Sequence, residues 1–242
     1  MAQHGMQKYV SGVFILMGLI MAASHANAAD CGWTPVPYEA SYIVNRKGKT
    51  AGSMRVKLVR TGGDRFTYTM DTRVRRGIIK PKILQQSEFT WKNGWVMPDR
   101  FQLNLKAAIY RRTEIAEFDW QNMQATGKKK GDHFERPIRA GVEDKLTVYL
   151  RLAKALCEGQ KNNELDVVSG PVAKPHVYRF LADEDVETPR GQFATIHLRR
   201  GDPESEKQTD LWYAQETHYL PVKMVYRDKD DIMIMSLSEL SF

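Results

Sequence analysis

The chain has 242 residues, of which 42% are hydrophobic and 27% charged, and a net charge of +7. That is enough for one large domain with a real core, and nothing requires two. The basic excess allows contact with anionic surfaces, lipid headgroups or acidic glycans, and it does not point to nucleic acid.

The first element is an address. Lys8 supplies one positive charge, Tyr9 to Ala23 is almost wholly apolar, and small residues then lead to Ala26-Asn27-Ala28, the A-x-A pattern read by signal peptidase. The apolar run is too short for a comfortable membrane span. Asp30 precedes Cys31 where a lipid-attachment box needs a small residue, which speaks against a lipoprotein. The expectation is a signal peptide at 1–28 and a single β-rich domain at 29–242, exported to the periplasm. Two cysteines, Cys31 and Cys157, survive cleavage. An even count in an oxidising compartment predicts one disulfide between them.

From Tyr38 onward the dominant period is two, the strand period. Met54, Val56 and Leu58 alternate with Arg55 and Lys57. Phe66, Tyr68, Met70, Thr72 and Val74 share one face, with Arg65, Thr67, Thr69, Asp71 and Arg73 on the other. Turn chemistry separates these runs, above all Asn93-Gly94 between Trp91 and Trp95. About a dozen strands in series describe a mainly β fold: one antiparallel sheet curling into an incomplete or closed barrel. One segment breaks the period. In Val142 to Glu158, Leu146, Tyr149 or Leu150, Ala153 and Leu156-Cys157 recur at helical spacing, with Asp144 as N-cap and Gly159 as stop.

Most familiar chemistries are missing. His133, His176, His197 and His218 lack metal-ligand spacing, and there is no nucleophile elbow, phosphate loop or dinucleotide fingerprint. No cofactor, metal or catalytic residue is expected. The acidic run Asp183-Glu184-Asp185 with Glu187 reads as a solvated turn. Arg73 to Leu84 stands out, because Arg75, Arg76 and Lys80 interleave with Ile78 and Ile79 beside Pro81. Cations mixed with apolar anchors suit a phosphate-bearing amphiphile or peripheral contact with a membrane surface. The alternative is a rim loop whose isoleucines pack into the core.

Two stretches resemble the exported bacterial family catalogued as domain of unknown function 3108. Asp144-Lys145-Leu146-Thr147-Val148-Tyr149-Leu150-Arg151 is similar to that family's Asp-x-Leu-Ser-x-x-Tyr-x-Leu-Arg helix, with shorter spacing between Leu146 and Tyr149 and Thr147 in place of Ser. Leu211-Trp212-Tyr213-Ala214 followed by Tyr219-Leu220-Pro221-Val222-Lys223 is the other. The ending is also similar to that of lipoprotein-carrier (LolA/LolB-like) envelope proteins, an incomplete barrel round a helical lid over an apolar cavity. Neither likeness brings an activity. The leading expectation is a periplasmic, non-enzymatic protein that binds or carries an apolar or amphiphilic envelope component. The rivals are an envelope assembly factor acting through a surface and a hydrolase of envelope polymers.

Overall fold

The computed structural model describes residues 31–242 except 76, 173 and 203, together with all but the side chain of Lys174. The leader and its cleavage site lie outside the described residues.

Among the described residues fourteen strands, against the dozen expected, form one antiparallel sheet. They are β1 (Tyr38–Arg46), β2 (Lys49–Gly62), β3 (Arg65–Val74), β4 (Lys82–Lys92), β5 (Trp95–Ala107), β6 (Tyr110–Asp119), β7 (Gln124–Lys129) and β8 (Asp132–Pro137). After the helix α1 (Thr147–Cys157) come β9 (Asn163–Val167), β10 (Lys174–Thr188), β11 (Gly191–Arg200), β12 (Lys207–Ala214), β13 (Leu220–Asp228) and β14 (Asp231–Ser241). Every strand pairs with its sequence neighbour except at α1, and β1 pairs with β14, so the sheet runs from β8 round to β9.

The alternation read from the sequence decides which face is inside. Phe66, Tyr68, Met70 and Val74 of β3 are buried, as are Met54, Val56 and Leu58 of β2. The outward rows carry Arg55, Lys57, Thr67, Thr69 and Arg73, so the outer wall belongs in water and not in hydrocarbon. Asn93 (φ 53°) and Gly94 (φ 77°) make the tight left-handed turn between β4 and β5.

The curl brings β8 and β9 close without joining them. Across the seam Arg136 grips Asp166 through two hydrogen bonds, 2.7 and 3.0 Å. The strand leaving β8 fills the gap: Glu143 donates to the Asp166 carbonyl and accepts from the Val168 amide, a one-residue parallel bridge. The chain then turns inward as α1. Thr147, Val148, Leu150, Leu152, Ala153, Ala155 and Leu156 are all buried, so the helix is covered on nearly every side. Asp144 caps it, accepting from the amides of Leu146 (2.6 Å) and Thr147 (2.8 Å), while the Thr147 hydroxyl accepts from the Asp144 amide. Gly159 (φ 79°) ends it, with the Gln160 amide reaching back to the Ala155 carbonyl.

Tyr42, Tyr68, Tyr213, Phe66, Phe89 and Phe101 fill the space between helix and sheet and are among the largest fully buried side chains. The expected apolar ligand space is therefore occupied by α1 and these rings. The C-terminal end of α1 is closed over by the N-terminal segment. Cys31 is bonded to Cys157, their Cα atoms 5.9 Å apart, and Trp33 stacks on His218 and meets Trp91 edge-on. Among the described residues no helix is long and apolar enough to cross a membrane.

Candidate functional site

Strict up-and-down topology sorts the connections by end. The turns after β1, β3, β5 and β7 and the loops after β9, β11 and β13 fall at the end away from the disulfide. Here the barrel is open. A cavity of about 310 Å³ lies at this mouth, over the N-terminal end of α1.

Its walls are cationic. Arg112 from β6, Lys129 at the end of β7, Lys145 just before α1 and Arg200 at the end of β11 all line it. Behind this wall Glu114, 4% exposed, is held by both Arg112 and Lys145. The Lys129 ammonium donates to the Ser169 carbonyl. Arg200 donates to the Thr209 hydroxyl at 3.2 Å and lies 3.3 Å from His176 Nδ1. Gln85, Tyr149 and Tyr178 add amide and phenol groups to the lining, and Val148 and Leu211 add apolar surface.

This crowding shifts protonation. Burial, then the charges of Arg112 and Arg200, push the Lys145 ammonium down to about 8, against a smaller opposing pull from Asp144. Burial, then Arg200 and Lys145, push the His176 imidazole down to about 4, so the ring is neutral near pH 7. Both shifts have the same electrostatic meaning: positive charge is in excess in a partly desolvated space, and an anion entering it relieves the repulsion.

Immediately beneath, Glu143 and Asp144 are fully buried. Burial pushes the Asp144 carboxyl up to about 6, against its bonds from Ser87 and the two helix amides. It pushes Glu143 well above the carboxylate range, and neither Glu143 oxygen finds a hydrogen bond of good geometry. These acids belong to the core and do not line the cavity.

None of the residues expected to contact a ligand or membrane lines the cavity, although His176 and, from the family-like stretches, Lys145, Val148, Tyr149 and Leu211 do. Arg75, Ile78, Ile79 and Lys80 project from the loop between β3 and β4 at the same end, with Ile78 98% and Ile79 43% exposed. The isoleucines are therefore not core. Arg76 lies outside the described residues. The loop is pinned at its base, where the Val74 amide donates to the Pro81 carbonyl (3.1 Å) and the Arg75 amide to the Ala51 carbonyl (2.7 Å). Gly52 permits this approach, since a Cβ there would run into the Arg73 carbonyl. Cys31 and Cys157 sit at the opposite end and are structural.

The acidic run is not a turn: Asp183, Glu184, Asp185 and Glu187 lie within β10. Glu184 contacts His197 Nδ1 at 2.8 Å and accepts from the Trp212 indole, with His197 stacked on Trp212 at 4.0 Å. His197 Nε2 is 3.4 Å from Asp210, which Arg199 and Arg227 also bind. Although Asp210 is partly desolvated, these partners hold its carboxyl far below the usual range. The cluster is a charge-paired patch on the outer wall and presents no nucleophile. Among the described residues no group of three or more His, Cys, Asp or Glu could hold a metal ion.

The sequence signal that could have found the mouth is a polar residue continuing an inward apolar row. Arg112 extends the row of Glu114, Ala116 and Phe118. Arg200 extends that of Leu198, and Thr209 that of Leu211 and Tyr213.

A family model described as "Protein of unknown function (DUF3108)" matches residues 37–237. Among solved structures, a beta-barrel-like protein of domain of unknown function DUF1849 from Brucella abortus superposes with a TM-score of 0.59 at 13% identity, covering 85% of this chain and 97% of that one. A candidate lipoprotein from Parabacteroides distasonis gives a TM-score of 0.34 at 11% identity over 86% of this chain and 96% of the other, too low to carry an argument. The first likeness establishes the barrel-like fold alone. No curated protein matches the chain.

Proposed function

The chain belongs to the DUF3108 family of proteins of unknown function, and from its cationic mouth we propose that it is a periplasmic, non-enzymatic protein binding the anionic head of an envelope amphiphile. The observation that carries this reading is the cavity ringed by Arg112, Lys129, Lys145 and Arg200, with Glu114 behind the wall pairing Arg112 and Lys145. Two guanidinium groups and two ammonium groups suit a phosphate or carboxylate. The filled interior means that the head enters and the acyl chains stay outside, unlike a carrier that engulfs its cargo. The leader of residues 1–28 and the disulfide support export.

The test uses protein purified from the periplasm and dodecyl phosphate as probe, followed by calorimetry. Binding should be lost in Lys145→Met with Arg200→Gln. In the parent, affinity should fall as pH rises through about 8, because Lys145 then sheds its charge. Solvent extraction of the untreated protein and mass spectrometry should recover an anionic amphiphile. N-terminal sequencing should begin at Ala29. A parent protein that ignores the probe and carries nothing would overturn the reading. The assembly-factor alternative would then lead, since a barrel filled by α1 acts through its surface.

A further inference from the structure

We propose that the mouth end is a membrane-docking face, which seats on anionic bilayers through two apolar hairpin tips. The first tip is the loop between β3 and β4, with Ile78 98% and Ile79 43% exposed. The second is the turn between β5 and β6, where Ile109 is 100% and Tyr110 55% exposed. Isolated exposed apolar residues need no explanation, but these belong to adjacent hairpins. The register Arg73↔Lys82, Lys82↔Lys106 and Lys106↔Arg111 sets the four strand ends level. At the usual strand spacing the two tips stand roughly 10 Å apart, pointing the same way.

Charge says what covers them. Arg75, Lys80, Lys106 and Arg111 surround the tips and are exposed. Among the described residues none of the four has a carboxylate within ion-pair distance, whereas Asp71 already holds Arg73 and Lys82. Bulky apolar tips ringed by uncompensated cations match a surface that is apolar beneath and anionic above, which is a bilayer with acidic lipids. The exposed acids of this end are Asp132 beside the turn after β7 and Asp202, Glu204, Glu206 and Asp230 on the loops after β11 and β13. Docking therefore tilts the barrel toward its β3–β6 side. The cavity, which reaches Gln85 on β4 and Arg112 on β6, then faces the lipid headgroups. Docking stands on the tips and not on the cavity, so it holds even if the cavity binds nothing.

The experiment is sedimentation of the purified protein with phosphatidylcholine vesicles, with and without phosphatidylglycerol. The parent should partition onto the phosphatidylglycerol vesicles, less at high salt. Ile78→Ser with Ile109→Ser should lower the partition coefficient roughly tenfold or more, the loss of two inserted side chains. Both residues are almost fully exposed, so thermal melting should not move. Lys80→Gln, Lys106→Gln and Arg111→Gln together should remove the dependence on phosphatidylglycerol. In a Lys145→Met with Arg200→Gln background the serine pair should lower partitioning by the same factor as in the parent, whatever the cavity changes do to dodecyl phosphate. Equal partitioning of the serine variant and the parent overturns the proposal. So does a parent that ignores both vesicles, or one that dimerises through Ile109 in sedimentation velocity.

Discussion

Asp144 is where a single atom change should speak most clearly. Its carboxylate accepts from the amides of Leu146 and Thr147 and from the Ser87 hydroxyl, at a position with no solvent exposure. Asp144→Ala orphans three buried donors. Each costs about 1–3 kcal/mol when unsatisfied, and lost caps alone typically cost about 1. A loss of about 3–5 kcal/mol follows, or roughly 10 °C in Tm for a chain of this size. Asp144→Asn should behave differently. The amide oxygen still accepts from both helix amides, and the Ser87 hydroxyl can rotate to accept from the new NH₂. What disappears is the buried charge. Burial raises this carboxyl from 3.8 to about 6, so the folded state holds the proton more tightly than the unfolded one. That contribution is full below about pH 4 and is lost as pH rises through about 6, a change of roughly 3 kcal/mol. The difference in stability between parent and Asp144→Asn should therefore swing toward the variant between pH 4 and pH 8, measured by denaturant unfolding. Comparing the two isolates Asp144 from Glu143, whose raised pKa pushes the same way. A difference that stays flat with pH, or an Asp144→Ala protein within about 1 kcal/mol of the parent, refutes the argument.

Three further outcomes are expected. Glu143→Gln should stabilise the protein at pH 8 or leave it unchanged, because it removes a buried ionisable group without a well-made hydrogen bond; thermal melting checks this. Arg136→Leu should cost about 3–5 kcal/mol by stranding Asp166 at the seam, with hydrogen exchange accelerating first in β8 and β9. Non-reducing peptide mapping should find Cys31 linked to Cys157, and Cys31→Ala with Cys157→Ala should lower Tm by several degrees while leaving the β spectrum intact.

The strands were legible because their cause is local. In Arg65–Val74 the alternation of Phe66, Tyr68 and Met70 with Thr67, Thr69 and Asp71 is enough to assign both the element and its buried face. Asn93-Gly94 and Gly159 were legible for the same reason, each being a backbone conformation that few residues accept. The acidic residues of β10 misled because Asp favours turns and both Asp and Glu are depleted in strands on average. Here Glu184 has partners, His197 and Trp212, on neighbouring strands that no local window contains. The mouth was illegible for a related reason. Arg112, Lys129, Lys145 and Arg200 each look like an ordinary solvated charge, and only the curl of the sheet turns them toward one point. The loop of Ile78 and Ile79 was noticed for its composition, but Ile109 was not, because a lone isoleucine in a turn carries no signal until the neighbouring hairpin is known.

The open seam ties these observations together. With only six and five residues, β8 and β9 leave a gap that the chain uses as its way in. Glu143 closes the gap, Asp144 caps the helix beneath it, and Lys145, next in sequence, emerges at the cavity wall. Three consecutive residues thus serve edge, core and mouth in turn. A neutral cap at 144 could hold α1 at lower cost. A charged one also sits beside Lys145 and opposes the repulsion that Arg112 and Arg200 exert on it. The stability given up by burying Asp144 and the positive charge kept at the mouth are, on this argument, two sides of the same arrangement.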